Sequence, residues 1–126
     1  MLKTNLSYTL NKIVEPSETA ISMGSGGLEV FATPSLIALM EKVAFLCVED
    51  ILDDKDTTVG ISVDAKHLKA NLVGDELEFT ATLINIDGKK LSFDIVAIYG
   101  DTIVGSCTHD RFIVNKEKFI NNLMER

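Results

Sequence analysis

The sequence predicts an α+β fold in which an antiparallel sheet of five to six strands wraps around one long apolar helix. Two observations carry this. Residues Phe31–Leu52 read FATPSLIALMEKVAFLCVEDIL, a stretch apolar on nearly every side. The chain after it alternates apolar and polar residues in several runs joined by tight turns, the mark of a meander.

The elements follow in order. Asn5 to Val14 alternates imperfectly, with Leu6, Tyr8 and Leu10 on one side, and reads as a first strand ended by Glu15-Pro16-Ser17. Thr19 to Met23 is expected as a short extended piece. Gly24–Gly27 holds three glycines, a turned or mobile loop before the helix. It lacks the Lys-Ser/Thr of a phosphate loop and the spacing of a dinucleotide fingerprint, so it is a connecting loop or a flap over a pocket. Pro34 suits the first helical position, and Thr33 before it can cap the free N–H groups. Along the helix Ser35, Lys42 and Glu49 recur every seven positions as a narrow solvent stripe. Glu41 lies about 100° around the helix from Lys42, with Ile37, Ala38, Ala44 and Phe45 one turn away. A carboxylate is therefore expected on an apolar flank.

After a polar DDKD turn, Val59, Ile61, Val63 and Ala65 alternate with polar neighbours, and His67 has the parity of the apolar set. Leu77, Phe79, Ala81 and Leu83 form a second alternating run. Asp87-Gly88 signals a two-residue hairpin into Leu91–Tyr99, and Gly100-Asp101 another into Thr102–Val114. Asn115 can cap a final helix carrying Phe119, Ile120, Leu123 and Met124 on one side. One sheet can hardly cover every flank of the long helix, so a second copy is expected to cover the rest, giving a homodimer.

With 126 residues, no linker and no repeat, residues 1–126 read as a single domain. A hydrophobic content of 46% fits a compact globule rather than a disordered chain. The net charge of −7 argues against nucleic acid, because phosphate binding needs a basic face, although a local cluster of Lys or Arg could hold a small anion. The helix runs apolar for at most six residues, too few to span a bilayer, and the N-terminus has no continuous apolar signal core. Cys47 and Cys107 lie in apolar surroundings without paired spacing, which suggests reduced thiols in a cytoplasmic protein. Two histidines and two cysteines without ligand spacing call for no metal, and no other cofactor is indicated.

Each chemical candidate has a plain alternative. Glu41, desolvated by Ile37 and Phe45, would gain basicity and could activate water or attack a carbonyl itself, or it could pair with a cation at the dimer seam. Thr33 is first a helix cap whose hydroxyl could also donate to a ligand. His67 is a satisfied histidine at a strand end, a donor to a carbonyl oxygen, or an orienting partner for Thr33. Eight helical residues set Thr33 and Glu41 about 12 Å apart in rise. For both to touch one ligand, either the Thr33 segment folds back or the two come from different subunits, and each pocket is expected to use both chains. His109 and Arg111 share a parity on the last strand, where Arg111 meets a ligand phosphate or, preferably, a structural carboxylate.

The run VFATPSLIALME, the TVG segment with a histidine seven residues after its glycine, and GSCTHDR together resemble the hot-dog-fold thioesterases of the fluoroacetyl-CoA thioesterase-like family. The resemblance runs from about Val30 to Phe119. It implies a homodimer with two active sites at the subunit interface, an acyl-CoA substrate, and Thr33, Glu41 and His67 as the catalytic set. It places Gly60 beside the acyl group, and Gly60, Phe31 and Arg111 are the candidate substrate-binding residues. The fluoroacetyl-CoA enzymes carry aromatic lid residues where this chain has MGSGG, so fluoroacyl selectivity is not expected. The expected activity is hydrolysis of a small or medium acyl-CoA thioester. The alternatives are a non-catalytic acyl or acyl-CoA binding module, or a hydratase. The hydratase pattern, Asp and His five apart before a helix, is absent.

Overall fold

The computed structural model describes residues 1–126. The elements are β1 (Ser7–Ile13), a 3-10 turn at Pro16–Glu18, α1 (Ala20–Met23), α2 (Thr33–Glu49), β2 (Asp56–His67), β3 (Glu76–Asp87), β4 (Lys90–Tyr99), β5 (Thr102–Asn115) and α3 (Lys116–Met124). The five strands form one antiparallel sheet in the order β1-β3-β4-β5-β2. Leu77, Phe79, Ala81 and Leu83 of β3 and Leu91, Phe93, Ile95 and Ala97 of β4 are buried with Leu36, Met40, Val43 and Val48 of α2. The expected alternation of β3 and β4 is thus what seats the helix on the sheet. Gly105 of β5 lets α2 come close: a Cβ there would stand 3.0 Å from Leu36 and 3.1 Å from Met40.

Several local expectations change. Thr19–Met23 is not extended. Thr19 accepts a hydrogen bond from the Ser22 N–H and caps the short helix α1, since a threonine hydroxyl can stand in for the missing helical acceptor. The cap of α2 is Ala32, not Thr33, so Pro34 takes the second helical position and no side chain caps the helix. Ser35 is not on a solvent stripe: it is only 5% exposed, and of the three stripe residues Lys42 alone is exposed. The hairpin loop between β3 and β4 is Gly88-Lys89, because Asp87 already pairs with Lys90 and Gly88 supplies the left-handed φ of 61°.

The largest change is in β2. Its pairing with β5 shifts between Gly60 and Ser62, so Ile61 is an extra residue in a β-bulge. Thr58 and Gly60 pair across from the inner face before the bulge, and Val63, Ala65 and His67 do so after it. Val59 therefore lies on the other face from Val63 and Ala65, against the simple alternation. β2 is also a sheet edge, and Ile61 and Val63 are 53% and 39% exposed there. On the facing flank of α2, Ile37, Glu41 and Phe45 are only half-buried and Ala38 is exposed. Asn115 caps α3 through the Lys118 N–H as expected. No helix is long and apolar enough to cross a membrane.

Candidate active site

The candidate residues fall into two groups along the open edge of β2, one at its C-terminal end and one near its middle. The first lies where His67 ends β2 beside the start of α2. The Thr33 hydroxyl and His67 Nδ1 share a hydrogen bond of 2.8 Å. Being at the first helical position rather than the cap frees the Thr33 side chain for this contact. Phe31 meets the imidazole edge-on, with ring centroids 6.3 Å apart and planes at 81°. Phe31 is itself held by its N–H to the Asn71 carbonyl at 2.8 Å. A cavity of about 330 Å³ opens here, lined by Ser25, Phe31, Ala32, Thr33, His67 and Lys69. Burial lowers the His67 pKa, so the ring is neutral near pH 7. Its Nε2 is buried and has no hydrogen-bond partner. If the Thr33 hydroxyl donates to Nδ1, Nε2 carries the proton and is a spare donor.

The second group surrounds Gly60. A Cβ on Gly60 would stand 2.9 Å from Glu41 Oε2, 3.2 Å from His109 Cε1 and 3.4 Å from Arg111 Nη1. Glu41 makes no ion pair and no side-chain hydrogen bond in the protein. Arg111 is 7% exposed, and burial pulls its pKa down, opposed by the charges of Glu41 and Glu49. Its Nε donates to Thr58 Oγ1 at 2.7 Å, its Nη2 to the Thr58 carbonyl at 2.9 Å, and its Nη1 to His109 Nε2 at 3.1 Å. It is therefore neither open to a CoA phosphate nor bonded to a structural carboxylate; neutral acceptors take its donors. Its guanidinium also lies 5.9 Å from the Phe45 ring centroid.

Sequence reasoning noted the shared parity of His109 and Arg111 but assigned nothing to His109 or Thr58. The inward parity of Cys107, His109 and Arg111 was the available signal for His109. No local pattern marks Thr58. The largest groove, about 390 Å³, lies among Asp64, Thr80, Thr82, Asp94, Ser106 and Thr108 and contains neither group.

Thr33 and Glu41 are two turns apart along α2, and His67 and Gly60 are separated by roughly 20 Å of strand. Within one copy, Thr33 and His67 are brought together and Glu41 is not.

The model of the fluoroacetyl-CoA-specific thioesterase family matches residues 14–117. A fluoroacetyl-CoA thioesterase of Streptantibioticus cattleyicolor is 32% identical over 91 residues, 72% of this chain and 66% of that protein's length. A solved structure of a fluoroacetyl-CoA thioesterase is 25% identical and superimposes with a TM-score of 0.93, covering 100% of this chain and 98% of that one. A hot-dog-like protein from Thermanaerovibrio acidaminovorans, 19% identical, shares the fold with a TM-score of 0.91 over 99% of this chain and 93% of its own. The chain therefore belongs to the fluoroacetyl-CoA-specific thioesterase family, with the hot-dog fold and the acyl-CoA thioester hydrolase class that this membership carries.

Proposed function

We propose that the protein is a single-domain cytoplasmic enzyme that hydrolyses a small or medium acyl-CoA thioester at a site built from two copies of the chain. Glu41 comes from one copy, and Thr33 and His67 come from the other. The observation that carries this reading is the unpaired Glu41 carboxylate beside Gly60, on the same exposed edge strand as the Thr33–His67 pair but seven residues from it. An antiparallel pairing of β2 with its own copy, centred near Val63, runs the Gly60 end of one chain alongside the His67 end of the other. It would also cover Ile61, Val63 and the half-open flank of α2, removing an edge that invites pairing.

The chemistry suits these groups. An alkyl thiol has a pKa of about 8.5, so the CoA thiolate departs without a strong acid. The work left is activation at the carbonyl carbon and stabilisation at its oxygen. Glu41 acts as base on water or attacks the carbonyl to form an anhydride that water then opens. The exposed Thr33 hydroxyl, oriented by its 2.8 Å hydrogen bond with His67 Nδ1, donates to the carbonyl oxygen. Phe31 keeps the ring in place, and Gly60 offers the acyl group a flat wall backed by Arg111. With MGSGG before the helix, the acyl group need carry no fluorine.

The test is CoA release from a panel of acyl-CoAs with wild type, Glu41→Gln, His67→Ala and a mixture of the two variants refolded together. Each variant alone is expected to lose activity. In a two-fold dimer that shares its sites, half the dimers are mixed and each holds one intact site, so the mixture should recover about a quarter of wild-type activity. No recovery would place all three groups in one chain's site. Saturable binding of an acyl-CoA without turnover would favour the binding-module reading.

A further inference from the structure

We infer that His109 is a positioning residue for this hydrolysis: a neutral imidazole that ties the bulge of β2 to the Arg111 guanidinium and so holds Gly60 beside Glu41 and Arg111 beside Gly60. The inference rests on the reading of Glu41 given above. His109 is 1% exposed. Its Nδ1 lies 2.8 Å from the Ser62 carbonyl, which can only accept, so Nδ1 carries the proton. Its Nε2 lies 3.1 Å from Arg111 Nη1, which can only donate, so Nε2 is bare. Both neighbours thus demand one tautomer and one charge state. The side of the ring is packed near Phe93, with centroids 6.5 Å apart.

What His109 holds matters more than its own burial. Gly60 and His67 are seven residues apart, and in a regular strand an odd separation puts two residues on opposite faces. The extra residue Ile61 reverses the parity, so Gly60 faces Glu41 while His67 faces Thr33. The Ser62 carbonyl that His109 binds closes that bulge. One imidazole therefore pins the irregularity that makes both halves of the candidate site face inward. It also fixes the one Arg111 nitrogen that Thr58 does not hold and that lies against Gly60.

The experiment uses the full-length protein, with an acyl-CoA that wild type turns over, and compares His109→Phe with His109→Gln. Phenylalanine keeps a ring of similar size and makes neither hydrogen bond. Glutamine can donate to Ser62 and accept from Arg111. A misplacement of about 1 Å costs about 100-fold, so His109→Phe should lower kcat by about that factor. KM should stay within about threefold and His109→Gln should regain at least about tenfold, because a group acting only through geometry at the reacting centre moves kcat. Should the phenylalanine variant not fold, His109→Asn, which can reach Ser62 but not Arg111, takes its place with the same expected loss. In wild type, ¹⁵N NMR should find His109 neutral with the proton on Nδ1, the less common tautomer of free histidine.

A proton on Nε2, a wild-type kcat in His109→Phe, a change in KM alone, or a glutamine variant no better than phenylalanine would each overturn the proposal. If wild type turns over no acyl-CoA, or Glu41→Gln keeps full activity, the reading of Glu41 fails and this proposal falls with it. If those two behave as expected and His109→Phe stays fully active, the His109 proposal alone falls.

Discussion

Gly60→Ala isolates the geometry around Glu41. The new Cβ would sit 2.9 Å from Glu41 Oε2, about half an ångström inside ordinary contact. It would also press His109 Cε1 at 3.2 Å, but His109 is locked by two hydrogen bonds and cannot give. The half-buried Glu41 side chain, free of partners, is the group that moves. If a 1 Å error costs about 100-fold, half of that should cost about tenfold in kcat. Stability should hardly change. Gly60 has no left-handed φ, and replacing glycine by alanine reduces unfolded-state freedom by about 0.4–1 kcal/mol, which offsets the small cost of moving a carboxylate. Melting should therefore stay within about 4 °C of wild type. The assay pairs thiol-detected CoA release with thermal denaturation, repeated in a Glu41→Gln background where the alanine should add nothing. A wild-type kcat in Gly60→Ala, or an equal loss with Glu41 already removed, would refute the placement of Glu41 at the reacting centre.

Acid sensitivity should follow the two histidines. Burial, the largest cause in each case, holds His67 and His109 below the ordinary histidine value of 6.5. As pH falls through 6.5 the unfolded chain takes up protons that the native state still refuses, so stability is full above 6.5 and declines toward the native values. A melting temperature flat down to about pH 5 would contradict this, and His109→Gln should make the decline shallower. The cysteines should be silent. The Cys107 thiol is pushed up to about 11 and Cys47 is also raised, both chiefly by burial, so a disulfide reagent at mild pH should label neither thiol natively and both of the two after denaturation. Rapid labelling of the native protein would contradict it.

Patterns that depend on near neighbours were legible in the sequence. The apolar helix, the alternation of β3 and β4, the Gly100-Asp101 turn and the Asn115 cap each arise from contacts a few residues apart or from one period of burial. Glu41 beside Ile37, Ala38 and Phe45 on one apolar flank of α2 follows from helical geometry alone, but that this flank is half-open in the single chain does not. Other features needed the assembled sheet. A β-bulge is a choice between two strands, so nothing in TVGISVDAKH reveals that Ile61 is the extra residue or that Val59 and Val63 part company. Whether Thr33 caps its helix or bonds His67 depends on where a strand 34 residues later ends. Arg111 needed a partner, and its sequence could not say whether that would be phosphate, carboxylate or the neutral pair Thr58 and His109 that folding brings to it. Local periodicity therefore determined which residues face the helix in most of the sheet. Tertiary pairing decided the one place where the period breaks, because register is a property of two strands and not of either alone.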